Sequence, residues 1–162
     1  MKELAIGDEV LNAHTQIEGN SCVPMSVEFV LKLLGRMDLT IYPFQKDLNK
    51  HGNSDWANGF IFNKVKFTRL FNQPRDNQFP LKALFDKISY EINSGRYVIV
   101  TLEVGRDERG TLWHNYVINK ILDNGEFGAI TKYSENDKIT DVSKRIEVMQ
   151  GTDIIIYTLL DE

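Results

Sequence analysis

Residues 16–35 read QIEGNSCVPMSVEFVLKLLG and decide how the fold begins. A short polar turn, in which Asn20 or Ser21 can act as the N-cap, leads into a segment of regularly spaced apolar side chains. Starting at Val27, they recur at the i, i+3, i+4 and i+7 spacing of an amphipathic helix. Gly35 is placed to end that helix. The stretch therefore predicts a helix packed into a core.

Cys22, the only cysteine of the chain, falls in the first turn of that predicted helix. Unpaired backbone N–H groups and the helix dipole favour an anion there, and we expect them to lower the pKa of the thiol. A thiolate attacks carbonyl carbon, so Cys22 is a candidate nucleophile. The alternative is a packed, unreactive thiol, because free cysteine is among the most buried residue types.

Two further side chains could complete a cysteine-based site. Gln16, six residues before Cys22, could offer its side-chain amide to an oxyanion. His114 lies on an apolar face of LWHNYVINKI (112–121), a segment with the pattern of a strand. A histidine in that setting is often a satisfied core residue, which is the alternative to a catalytic role. His14 is also close to Cys22 in sequence, but we expect it at the surface.

A cysteine on a helix, followed much later in the chain by a histidine on a strand, is an arrangement that resembles the papain-like cysteine peptidases. In those proteins the two residues meet across a cleft. Within that clan, the chain is similar to the C39 and C39-like peptidases. The similarity lies in the segment SCVPMSVEFVLKLLG and in RYVIVTLEV followed by TLWHNYVINKI. The resemblance implies an α+β papain-like fold, with an N-terminal helical lobe packed on a mostly antiparallel β-sheet. It also implies Cys22 as nucleophile, His114 as base and Gln16 as oxyanion donor.

The residue that would orient the histidine is where this chain departs from the family. C39-like relatives carry an aspartate about sixteen or seventeen residues after the histidine, to hold its tautomer and orientation. Here those positions hold an isoleucine and Thr131, whose hydroxyl could substitute. If a two-residue turn at 124–125 closes the hairpin, Glu135 lies opposite His114, with Asn136 beside it. All three remain candidates.

The rest of the chain has the pattern of mixed helices and strands. Helices that precede a mostly antiparallel sheet indicate the α+β class. The apolar periodicity and the turn residues predict the following elements: a helix over 80–93, strands over 96–104, 111–122, 126–133 and 153–160, a charged loop at 105–110, a turn at 134–138, a strand or helix over 139–149, and short helices near 43–50 and 63–72.

Length and composition restrict the class of protein. The 162 residues suit one domain over 1–162, and a net charge of −4 without a Lys/Arg cluster argues against a nucleic-acid partner. One cysteine excludes an internal disulfide and a Cys-rich metal site, and no nucleotide or dinucleotide motif is present, so we expect no cofactor. The start of the chain lacks the apolar region of a signal peptide, and no run approaches a membrane span; we expect a cytoplasmic protein.

Two functions from different classes follow from these residues. The first is a cysteine peptidase that acts on a peptide or protein substrate. The second is a peptide-binding module with a degenerate site, and a purely structural domain is a third alternative. Trp56, Asn58, Gly59 and Phe60 could line a peptide groove, although we favour a packing role for them; His51 is expected in a solvated turn.

Overall fold

Helices and strands contribute almost equally to the fold. The structure, a computed structural model, describes residues 1–17, 21–47, 54–132 and 136–162. The α+β class is confirmed. The elements are the helices α1 (Asp8–Ala13), α2 (Cys22–Leu33), α3 (Pro43–Lys46), α4 (Leu81–Asn93) and α5 (Val142–Met149), a 3₁₀ turn (Ser54–Ala57), and the strands β1 (Lys2–Glu3), β2 (Asn58–Phe62), β3 (Val65–Leu70), β4 (Val98–Asp107), β5 (Gly110–Ile121), β6 (Phe127–Lys132), β7 (Asn136–Ile139) and β8 (Ile154–Leu159).

One antiparallel sheet runs through the described residues in the order β2-β3-β8-β4-β5-β6-β7, and β1 pairs with the far end of β5. Both faces of the sheet are covered. Helix α2 packs on the face that carries Val117, Ile130 and Ile155. Helices α4 and α5 pack on the other face, against Val100 and Ile118. Full burial of each such side chain contributes roughly 1.5–3 kcal/mol, so α2 is fixed firmly over the sheet.

The helix predicted over 63–72 is wrong, because this segment is strand β3. Asn63 and Lys64 have φ values of 44° and 64°, which two-residue hairpin turns require, and they connect β2 to β3. Val65 and Phe67, two residues apart, are both fully buried, as expected for a strand with one face in the core. The N-terminal half of the chain is therefore not a purely helical lobe, since β2 and β3 belong to the sheet.

Helix α2 ends as the sequence predicts. Gly35 has a φ of +71°, a conformation that favours glycine. The N–H of Arg36 donates to the carbonyl of Leu31 at 2.8 Å, and the N–H of Gly35 donates to Lys32 at 3.1 Å. These two bonds satisfy carbonyls of the last turn in the manner of a Schellman motif. The C-terminal end of α2 is thus closed, and only its first turn faces the candidate site.

The hairpin between β5 and β6 differs from the predicted two-residue turn. The N–H of Leu122 donates to the carbonyl of Glu126 at 2.8 Å, so the connection has three residues and ends at Gly125 with a φ of +85°. A bulge between Ile118 and Lys120 shifts the register again, and Val117 pairs with Ile130. The two changes move the pairing two residues away from the register that would place residue 135 opposite His114.

Two predicted loops are corrected, and one open alternative is decided. Residues 105–107 continue strand β4, and residues 136–138, predicted as part of a turn, lie in β7. The ambiguous segment 139–149 is mainly helix α5. Long hairpins extend these strands because each backbone group finds a partner in the neighbouring strand. The turn residues at 18–20, His51 and Glu135 lie outside the described residues.

His14 is buried, with 1% of its surface exposed, so the expectation of a surface position is wrong. Its ring stacks between Phe29 and Tyr42. Nε2–H donates to the carbonyl of Met25, and Nδ1 accepts from the Lys32 ammonium, both at 2.9 Å. Because burial and the charge of Lys32 disfavour an imidazolium ion, the pKa of His14 falls from 6.5 to about 3.

We expect acid to destabilise the protein through His14. The unfolded chain binds a proton near pH 6.5 and the folded one only near pH 3, so stability is complete above pH 6.5 and falls as the pH drops. At pH 4.5 the loss should be about 2–3 kcal/mol. His14→Gln keeps an acceptor and a donor without titrating. Urea unfolding at pH 7 and pH 4.5 should therefore show a smaller loss for the variant, and an equal loss in both proteins would contradict this origin.

Candidate active site

Cys22 is the first residue of helix α2, in the position predicted for it, and its side chain is half-buried. Ser21 occupies the N-cap position, but its hydroxyl does not cap the helix. It donates instead to Oε1 of Gln45 at 2.7 Å. The backbone N–H groups of Cys22 and Val23 in the first turn interact with the sulfur instead.

The pKa of the Cys22 thiol is raised, so the expected lowering is wrong. Burial is the largest cause. The backbone N–H groups of Val23, Cys22 and Asn115 interact with the sulfur and oppose this effect, but burial outweighs them. The helix N-terminus thus acts in the predicted direction, while the surrounding protein keeps the resting sulfur a neutral thiol.

The raised pKa leads to a prediction for alkylation of Cys22. Because only the thiolate reacts, iodoacetamide should modify Cys22 more slowly than N-acetylcysteine at pH 7. The rate should rise about tenfold per pH unit up to pH 9. Mass spectrometry of the intact protein over time measures the rate, and Cys22→Ala gives the background. A rate that is constant between pH 6 and pH 8 would indicate a preformed thiolate and contradict the prediction.

His114 lies on β5 and contacts Thr131 of β6, one of the three candidates to orient it. Nε2 is 2.7 Å from Oγ1 of Thr131, and the same oxygen is 2.9 Å from the carbonyl oxygen of Asn115. A hydroxyl has one proton, and a carbonyl oxygen can only accept, so Thr131 donates to Asn115. Its oxygen then accepts from His114, which assigns the proton to Nε2 and the basic lone pair to Nδ1.

The pKa of His114 is lowered by burial, and the negative charge of Asp137 opposes the shift. Asp137 pairs across the sheet with Thr131 and accepts a hydrogen bond from the Tyr116 hydroxyl at 3.2 Å. The ring of Tyr116 packs edge-on against His114 with centroids 5.6 Å apart. At neutral pH the imidazole is therefore uncharged. Because the thiol pKa is raised as well, the resting site contains a neutral thiol and a neutral imidazole.

The backbone of Asn115 joins the two halves of the site. Its N–H interacts with the sulfur of Cys22 and its carbonyl accepts from Thr131. His114 shares its face of β5 with Tyr116, whereas the next residue along, Asn115, faces α2. In the described residues no hydrogen bond joins the sulfur to the His114 ring. The structure thus places the sulfur beside the residue that follows His114, without an ion pair between the two side chains.

Gln16 lies beside the end of β6. Its backbone N–H donates to the carbonyl oxygen of Lys132 at 2.7 Å, one residue after Thr131. This bond holds the segment before Cys22 against the strand that orients His114. Cys22 and Gln16 are therefore held against the backbone of the strands that carry His114 and Thr131, near the point where β5 and β6 stop pairing. The catalytic roles of the four residues stay predictions. Only the backbone of Asn136 is described, as the first residue of β7.

Gln45 is a site residue that sequence reasoning missed. It lies on α3 and is 1% exposed. Its Nε2 donates to the carbonyl of Thr15 at 2.9 Å, and its Oε1 accepts from the N–H of Ile17 at 2.7 Å and from Ser21. These bonds hold both ends of the segment that carries Gln16. No sequence pattern points to Gln45, because its partners lie 24 to 30 residues away.

The aromatic residues of the middle section mainly pack. Trp56 is 2% exposed, and its ring lies within 5.0 Å of the rings of Phe44 and Phe60. This agrees with the packing alternative. Asn58 and Gly59 are exposed on β2. Within the described ranges, no three His, Cys, Asp or Glu side chains are grouped to hold a metal, and no helix is long and apolar enough to cross a bilayer.

A comparison of the chain with protein-family models and with curated proteins finds no match. The function is therefore argued from the geometry of the site.

Proposed function

We propose that this chain is a cysteine peptidase of the papain-like, C39-like type, in which Cys22 attacks the carbonyl carbon of a peptide bond. The observation that carries the proposal is the hydrogen-bond order Asn115–Thr131–His114. Since Thr131 gives its proton to the Asn115 carbonyl, Nε2 of His114 carries the imidazole proton and Nδ1 carries the lone pair. A general base needs that tautomer to be held in place.

The proposed reaction starts from neutral groups. Nδ1 of His114 accepts the thiol proton as the sulfur attacks, and the backbone N–H of Cys22 and the side chain of Gln16 stabilise the oxyanion. The imidazolium ion returns the proton to the departing amine. Water, deprotonated by His114, then cleaves the thioester and releases the acid. Because His114 shares a face of β5 with Tyr116 while Asn115 faces α2, the proposed reaction requires the imidazole to move around the unpaired edge of β5 towards the sulfur when substrate binds. Catalytic hydrogen bonds often form fully only in the complex.

The second candidate is a peptide-binding module on the same fold. The observation that favours it is the neutral resting pair, because burial raises the pKa of Cys22 and lowers that of His114. A site that only binds has no need of a thiolate. This alternative predicts that an extended peptide binds without being cleaved, and that the affinity survives Cys22→Ala.

Acylation by p-nitrophenyl acetate tests the peptidase proposal. We expect a burst of one p-nitrophenolate per chain and an acetyl group on Cys22 by mass spectrometry. Cys22→Ala should abolish the burst, and His114→Ala should slow it about 10² to 10⁴-fold. His14→Gln is the matched control, because that buried histidine is outside the proposed machinery. A burst rate that does not depend on His114 would overturn the proposal.

A further inference from the structure

A row of polar side chains crosses the sheet from Cys22 towards β3. Asn115 on β5 donates from Nδ2 to Oγ1 of Thr101 on β4 at 3.0 Å. Thr101 donates to Oδ2 of Asp153, just before β8, at 3.3 Å. The same carboxylate oxygen lies 3.3 Å from Nε of Arg69 on β3. The row begins at the sulfur, since the backbone N–H of Asn115 interacts with Cys22.

All members of this row point to the face of the sheet that α2 covers. Ile99, Ile155 and Phe67, each two residues from a member, lie in the core under α2. Side chains two residues apart on a strand share a face. The row therefore lies beyond the first turn of α2, on the side of the sheet where Cys22 is located.

Positive charge is in excess at the far end of the row. Arg69 and Arg75 both pair with Asp153, at 3.3 and 3.5 Å, and their side chains are 26% and 35% exposed against 11% for the carboxylate. The guanidinium of Arg75 lies 4.4 Å over the ring of Trp113, which orients it. Among the described ion pairs, two cations thus share one anion, and each guanidinium has further N–H donors to offer.

Arg69 also lines a cavity of about 220 Å³, together with Ala57, Asn58 and Asn72. Arg69 contributes charge to the lining, and the two asparagines contribute amide donors. A carboxylate accepts hydrogen bonds from both kinds of group, and guanidinium–carboxylate bonds are among the stronger ones in proteins. The chemistry of the lining suits a carboxylate.

We propose that this cavity is a subsite for an acidic side chain of the peptide that Cys22 acts on. Three inter-strand spacings, about 14 Å in total, separate β5 from β3. An extended peptide covers that distance in about four residues. The subsite thus selects peptides with a carboxylate about four residues from the bond held at Cys22. The inference rests on the proposed function for the reaction, but the carboxylate preference itself does not require cleavage.

Decapeptide libraries test the subsite. Each is N-acetylated and C-terminally amidated, with Asp or Asn at one fixed position and mixtures elsewhere. At one spacing, we expect the wild type to cleave the Asp library at least tenfold faster than the Asn library. The Cys22→Ala variant, which cannot cleave, should bind and retain the Asp peptides at least tenfold better than the Asn peptides. Arg69→Gln should abolish the preference. Arg36→Gln, which removes a cation paired with Asp161 at the other end of α2, should leave it unchanged.

The outcomes separate the subsite from the peptidase. Cleavage without an Asp preference overturns the subsite and leaves the peptidase standing. An Arg69-dependent preference in retention without cleavage supports the subsite and points to a binding module. Absence of any Asp preference in both assays overturns the subsite. A further set of peptides has a free C-terminal carboxylate at the spacing where the first libraries carry Asp. If only these peptides are selected, the subsite binds a chain terminus, and its assignment to an acidic side chain is overturned.

Discussion

Thr131→Val is expected to slow acylation of Cys22 about a thousandfold while the protein stays folded. Valine has nearly the shape of threonine but cannot accept the proton of His114 Nε2. The imidazole is then no longer held in the tautomer with its lone pair on Nδ1, and loss of the correct tautomer costs several orders of magnitude in triad enzymes. The burst rate with p-nitrophenyl acetate measures the effect.

Thr131→Ser is the matched control for this variant, because it keeps the hydroxyl that both accepts from His114 and donates to Asn115. It should retain most of the burst rate. Nitrogen NMR of labelled histidine should show the proton on Nε2 in the wild type and a mixture of tautomers in Thr131→Val. An unchanged burst rate in the valine variant would remove the observation on which the proposed peptidase rests.

Gln45→Leu is expected to lower the free energy of unfolding by about 2–4 kcal/mol. Leucine fills a similar volume but leaves the N–H of Ile17, the hydroxyl of Ser21 and the carbonyl of Thr15 without the partners that Gln45 provides. A buried polar group that loses its partner, such as the Ser21 hydroxyl, costs about 1–3 kcal/mol, and the half-buried Thr15 and exposed Ile17 cost less. Urea denaturation followed by circular dichroism gives the value.

Gln78→Leu provides the comparison, since Gln78 is exposed and the same change there should alter stability by less than about 0.5 kcal/mol. Gln45→Glu should also be strongly destabilising, because a carboxylate at this buried position cannot donate to Thr15 and lies beside the carboxyl group of Glu28. If Gln45→Leu were as mild as the surface variant, the segment around Gln16 would not depend on Gln45 for its position.

Local patterns in the sequence were sufficient to predict the helix and strands that carry the candidate site. The stripe from Val27 and the glycine at 35 predicted α2 and its end, and the β-branched runs predicted β4, β5 and β8. Thr131 was one of three candidates to orient His114, nominated through the resemblance to C39-like peptidases, and it is the one that contacts the imidazole. Each of these features depends on residues that are near in sequence or joined by one hairpin.

The features that the sequence did not predict depend on distant partners. The pKa of Cys22 rises because the folded protein buries the sulfur, and no local pattern reports that burial. His14 is buried by α2 and Tyr42. Residues 63–72 resembled a helix because Phe67, Leu70 and Phe71 have i, i+3, i+4 spacing, yet pairing of β3 with β8 decides their conformation.

The link from the Cys22 sulfur to Thr131 passes through the backbone N–H and carbonyl of Asn115, so substitution of the Asn115 side chain does not remove it. Every amino acid except proline supplies the same amide hydrogen and oxygen, so side-chain scanning at this position reports on the bond to Thr101 and misses the connection between sulfur and threonine. Its contribution becomes visible only by chemical synthesis, with an ester in place of the 114–115 peptide bond to delete the donor. An evolving sequence could replace the asparagine, with loss of its bond to Thr101, and still keep the two halves of the centre in register.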